Sequence, residues 1–154
     1  MNSMTDILDH YQGKLYDKEG IEHWDLPDSI KNQIEYDDYD YFFLASSKAE
    51  KHGQRHLHLS IYPIKFNIVY LLEIETPIIN PRLMRSTLEH LRKKEFDIIT
   101  STGFCTHKEL CHFGIYLSVP SQINTEDLIS EIKKIEKVSN ATIYTYSCEG
   151  CSKT

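Results

Sequence analysis

Residues 66–74, Phe-Asn-Ile-Val-Tyr-Leu-Leu-Glu-Ile, form a nearly continuous apolar run. A run of strand length without alternation predicts a central strand covered on both faces. Residues 55–62 instead alternate: Leu57, Leu59 and Ile61 share one side, while His56, His58, Ser60 and Tyr62 share the other. Period two predicts a half-buried strand with its leucines inward and its histidines facing solvent. Residues 41–46 read as a further strand, and polar residues 47–54, with Gly53, as the loop between the two.

After the apolar run the period changes. Asn80 can cap a helix and Pro81 fits its first position. Leu83, Met84, Leu88 and Leu91 then follow at helical spacing, and Arg92, Lys93 and Lys94 suit the negative end of the helix dipole. Residues 96–104 and 111–119 read as two strands joined by a hairpin connection at 106–110, and Pro120 stops the second. Asn124 through Asp127 read as a capped start, with Leu128, Ile132 and Ile135 as the inward stripe of a second helix. Asn140 reads as its left-handed stop, and residues 142–146 as the last strand.

From Tyr70 to Tyr146 the order is therefore strand, helix, strand, strand, helix, strand. It predicts an α+β fold, a ferredoxin-like βαββαβ half-sandwich over residues 65–147 with two helices on one face of an antiparallel sheet. Residues 1–64 read as an acidic extension of short helices and a strand pair packing on that domain, and residues 148–154 as a cysteine-containing tail. In the extension, Ile7, Leu8 and Tyr11 suggest one face of a short helix. Residues 27–29 suggest the start of another, with Ile30 and Ile34 inward. Trp24, the single tryptophan, suggests an anchor.

Residues 68–74, the loop at 77–81, the helix at 83–91, the phrase at 96–99 and the stretch at 132–143 together resemble the ACT-type small-molecule sensor domains over about half of the chain. The resemblance implies a non-enzymatic regulatory module, homodimeric, binding a small molecule such as an amino acid near the first loop, at or close to a dimer interface. The implied ligand residues are Pro77, Ile78, Ile79, Asn80, Arg82, Leu83 and Arg85. Arg82 and Arg85 are the side chains suited to a carboxylate. Family members usually carry a glycine in that loop; here Asn80, Pro81 and Arg82 occupy it.

Charge narrows the partners. Residues 1–54 hold twelve acids against five lysines, a balance of −7 in a chain of net −6. With no basic stripe, nucleic acid and anionic membrane surfaces are not expected partners. The polar N-terminus and the lack of any apolar run of spanning length predict a cytoplasmic protein, in which cysteines are thiols or metal ligands.

Three constellations carry candidate chemistry. Cys148 and Cys151, in a Cys-x-x-Cys, with His56 and His58, in a His-x-His, could supply four zinc ligands and make a zinc-binding interaction module. Cys105 and Cys111 flank the hairpin, with His107 in the turn as a third candidate ligand, although free thiols are the expected state of that pair. His58-Leu-Ser60-Ile61 is similar to the repeated element of two-histidine phosphoesterases. Its second copy would be His112-Phe-Gly114-Ile115, where glycine replaces the required hydroxyl. The reading that joins most of these observations is the sensor module, without a catalytic residue.

Overall fold

The computed structural model describes residues 7–51, 54–78, 80–107 and 110–148. In order they form α1 (Ile7–His10), β1 (Tyr11–Asp17), α2 (Lys18–Glu22), α3 (Asp28–Gln33), a 3-10 turn at Tyr36–Asp38, β2 (Tyr41–Lys51), β3 (Gln54–Ile64), β4 (Ile68–Thr76), α4 (Pro81–Lys93), β5 (Asp97–His107), β6 (Leu110–Ser118), α5 (Thr125–Lys133) and β7 (Asn140–Ser147).

β4 is the buried centre. It pairs antiparallel with β6 on one side and β7 on the other, and β5 extends the sheet beyond β6, in the order β5-β6-β4-β7. On one face α4 and α5 lay Leu83, Leu91, Leu128 and Ile132 against Tyr70, Leu72, Ile74, Phe113 and Leu117. Burying each such side chain stabilises the fold by about 1.5–3 kcal/mol relative to exposure. Both helix starts are capped as the local sequence predicts: Arg82 N–H donates to Asn80 Oδ1 at 2.9 Å and Asp127 N–H to Asn124 Oδ1 at 3.2 Å. The left-handed residue after α5 is Lys137 (φ 77°), not Asn140, which already belongs to β7.

The half-sandwich expected from the sequence is incorrect. The described residues hold seven strands in two antiparallel sheets, because the second face of the four-stranded sheet is covered by a three-stranded sheet in the order β1-β2-β3. Ile7, Leu15, Phe43 and Ile64 close on Val69, Leu71 and Tyr116 between the sheets. On the outer side of the smaller sheet, Phe42 and Leu44 pack with Ile21, Leu26, Ile34 and Tyr36. Residues 1–64 thus supply a full structural layer.

Several local expectations change with it. Tyr11 starts β1 instead of continuing the first helix. β2 reaches Lys51 and β3 starts at Gln54, so most of the expected loop at 47–54 is hairpin. Trp24 is 42 % exposed and meets Tyr16 edge-on, so it is no core anchor. β3 keeps its predicted period but is turned over: Tyr62 packs between the sheets, while Leu57 and Leu59 are 61 % and 43 % exposed. Register is the cause. Pairing Tyr62 with Phe43 and Ile64 with Tyr41 puts the even-numbered side of β3 inward.

The sheets join at one corner by a parallel bridge between Leu15 and Cys148. β3 and β5 are edge strands of their respective sheets. No helix among the described residues is long and apolar enough to cross a membrane.

α1 fits the inter-sheet layer because β6 has glycine opposite it. A Cβ on Gly114 would lie 2.7 Å from Ile7 Cδ1 and 2.8 Å from Leu71 Cδ1. Gly114→Ala is therefore expected to destabilise by about 1–3 kcal/mol through overpacking. Urea unfolding within ~0.5 kcal/mol of wild type, the range of an ordinary surface substitution, would show that α1 does not dock there.

Candidate functional site

The inter-sheet layer carries two polar regions in an otherwise apolar interior. The first belongs to β4 and β6. Side chains alternate along a strand, so Val69, Leu71, Glu73 and Glu75 share the face away from α4 and α5. On β6 the matching set is His112, Gly114, Tyr116 and Ser118, with Glu75 directly opposite His112.

Glu73 and His112 are 4 % and 5 % exposed. His112 Nδ1–H donates to Glu73 Oε2 at 3.2 Å, and the same nitrogen lies 3.9 Å from Glu75 Oε1. Ile7 N–H also donates to Glu73 Oε2 (3.3 Å), and Tyr144 Oη–H donates to Glu73 Oε1 (3.4 Å). Phe104 stacks on the imidazole at 4.9 Å with the planes 13° apart, and His10 covers Phe104 in turn. A buried carboxylate is tolerable only when paired and hydrogen-bonded in this way. The Glu73, Glu75 and His112 ligand atoms lie within 4.8 Å of one another, so this group could hold a metal ion.

The second region is a two-lobed cleft between β3 and β5. Both lobes share Tyr62. The larger, about 290 Å³, is bounded by Tyr39, Pro63, Ile64 and Lys65 on one side and Asp97, Ile98, Ile99 and Ser118 on the other. The smaller, about 140 Å³, is lined by hydroxyl-bearing side chains, among them Tyr11, Ser47, Ser60, Thr100, Thr102 and Tyr116, with His58 beside them. Ser118 and Tyr116 are 2 % and 1 % exposed; Tyr116 Oη lies beside the Tyr146 phenol, and Ser118 Oγ has no hydrogen-bond partner among the described residues. Burial pushes the Tyr116 pKa above the ordinary phenol value, and the Tyr146, Tyr11 and Tyr62 phenols add to the shift. Tyr116 is therefore a neutral O–H donor at any physiological pH.

The residues singled out by sequence are distributed differently. His56 and His58 do meet, with Nε2 atoms 2.9 Å apart. Cys148 does not join them. It bridges Leu15, whose row across the sheet is Phe43 and Tyr62, whereas His58 is four residues further along β3, about 13 Å at strand rise. Cys148 is itself disulfide-bonded, and Cys151 lies outside the described residues.

The expectation of free thiols at the hairpin is corrected: Cys105 and Cys111 are in register and form a disulfide. Of the phosphoesterase pair, His58 lines the small lobe, while His112 is held by Glu73 under Phe104. In the loop implied by the family resemblance, Asn80 caps α4, Leu83 is core, and Pro77, Ile78, Arg82 and Arg85 are exposed; Ile79 lies outside the described residues.

Sequence reading missed Glu73 and Glu75 as site residues, and Tyr11, Tyr116 and Ser118 with them. A signal existed for the first two. Glu-Ile-Glu inside an apolar central strand commits charge to the interior, and buried acids are rare unless paired. No signal marked the others, because their position depends on a second sheet. In comparisons with known proteins, no family model and no curated protein matches the chain.

Cys105 and Cys111 are six residues apart, so the disulfide closes a short loop. The loop-entropy relation predicts that Cys105→Ala/Cys111→Ala loses about 2 kcal/mol of stability. Equal urea midpoints for variant and oxidised wild type would show that the bond is absent in solution.

Proposed function

We propose that this chain is a non-enzymatic binding module whose ligand is an amino acid or a similarly small polar zwitterion, held in the cleft between β3 and β5. The observation that carries the reading is a cleft lined by hydroxyls, with the buried Ser118 Oγ unpartnered among the described residues beside its larger lobe. An unpaired buried hydroxyl costs about 1–3 kcal/mol. A small polar ligand that reaches Ser118 removes that cost.

Lys65 and Asp97 put one charge of each sign on opposite walls of the larger lobe. A carboxylate and an ammonium on one small molecule match them. The lobe is near the lower end of ligand-site volumes, which suits a metabolite rather than a polymer. Acid–base catalysis by His58 and His112 is disfavoured, since His112 does not line either lobe and its Nδ1 is engaged with Glu73. This location replaces the loop at 77–83 suggested by the family resemblance, although the kind of ligand is the same.

The test is a thermal-shift screen of the twenty amino acids at millimolar concentration, because a ligand of the folded state raises the melting temperature. Wild type is expected to respond to at least one, and Tyr116→Phe and Ser118→Ala to lose that response. Without ligand, Ser118→Ala is expected to match wild type or gain about 1 kcal/mol, since an unpaired polar group has been removed. No shift in wild type, or a shift unchanged in both variants, ends this reading.

The homodimer expected from the sequence belongs to the same proposal. The outer side of edge strand β3, with Leu57 and Leu59 exposed, is the surface offered for it. Light scattering is expected to find a dimer in wild type and a monomer in Leu57→Glu. A Leu57→Glu protein as large as wild type counts against that surface.

A further inference from the structure

We propose that Glu73, Glu75 and His112 form a site for one divalent first-row transition ion, with zinc as the first probe. The inference is independent of the ligand reading for the cleft.

Glu73 and Glu75 both reach from β4 toward one nitrogen, His112 Nδ1, at 3.2 and 3.9 Å. A hydrogen on that nitrogen can serve Glu73, but 3.9 Å is too long for a hydrogen bond to Glu75. The ligand atoms of Glu73, Glu75 and His112 lie within 4.8 Å of one another. One ion between the three can engage both acids, which a single hydrogen on Nδ1 does not.

The surroundings hold the donors in place. Ile7 N–H and Tyr144 Oη–H fix the Glu73 carboxylate. Phe104 fixes the plane of the imidazole, with His10 packed on its ring. Outer contacts of this kind are what set ligand orientation in metal sites. Glu75, with its side chain 27 % exposed, is the member on the solvent side and the route of entry.

The donor set selects the ion. One imidazole nitrogen and two carboxylate oxygens suit zinc, manganese or iron(II). Calcium and magnesium prefer oxygen alone, and thiophilic ions have no sulfur here. The arrangement also ties the site to the N-terminal segment, because Ile7 N–H donates to Glu73 Oε2.

The experiment uses the full chain, stripped with chelator and returned to chelator-free buffer. Titration calorimetry with zinc and manganese is compared with magnesium and calcium for wild type, Glu75→Gln, and His56→Ala/His58→Ala. Glu75→Gln is chosen because Glu73 and His112 are buried, so substituting either puts the fold itself at risk. Expected are one zinc equivalent in wild type, affinity weakened at least about tenfold in Glu75→Gln, and that equivalent retained in the double histidine variant. Melting temperatures of wild type and Glu75→Gln should agree in chelator and separate by several degrees when zinc is added. A purely structural role for Glu75 would instead separate them in chelator. The proposal is overturned if wild type binds no zinc, if binding does not depend on Glu75, or if the Glu75→Gln difference is already present in chelator.

Discussion

A strand covered on both faces must bury whatever side chains it carries, and β4 carries two glutamates. On the helix side it offers Tyr70, Leu72, Ile74 and Thr76. On the other side the row is Val69, Leu71, Glu73 and Glu75. The first row packs on α4 and α5, with the Tyr70 hydroxyl accepting from Ile123 N–H and Thr76 donating to the Ile78 carbonyl. The second needs donors for its buried oxygens. His112 on β6 and Tyr144 on β7 supply two from within the same sheet, and the Ile7 amide of α1 supplies one from the covering layer.

The same layer explains the division of labour along its length. Near Leu15, Phe43 and Val69 it is apolar and holds the two sheets together. Toward His112 it is polar, with Glu73 hydrogen-bonded to His112, Tyr144 and the Ile7 amide. Toward β3 and β5, the two sheets keep separate edges, and hydroxyls line the gap. Stability comes chiefly from the first part. The second and third concentrate polar groups that a pure packing solution would have replaced with leucine or valine.

Cysteine placement follows strand pairing. Cys105 and Cys111 are opposite each other in the β5-β6 hairpin, so register alone brings them within bonding reach. Cys148 sits at the far end of β7, beside β1, and belongs to a different corner of the molecule. No arrangement of one chain with these pairings brings Cys148 to the histidine pair on β3. A disulfide at the hairpin also removes the reason for reading these cysteines as reduced thiols.

How far the sequence reached depends on the range of the interactions involved. Residues 66–147 revealed most of their helices and strands, because apolar spacing and caps such as Asn80 and Asn124 act within a few residues. His56 and His58 were legible as a pair for the same reason, since their spacing puts them on one side of one strand. Whether that side faced solvent was not legible. It was decided by pairing with β2 and by Tyr62 docking on the larger sheet. β1 escaped notice because Tyr11–Asp17 has weak alternation and becomes a strand through β2. The convergence of Glu73, Glu75 and His112, and the hydroxyls at Tyr116 and Ser118, were beyond local pattern altogether. The acid–histidine group depends on β4 pairing with β6 across 39 residues, and the cleft hydroxyls depend on a second sheet closing over the first.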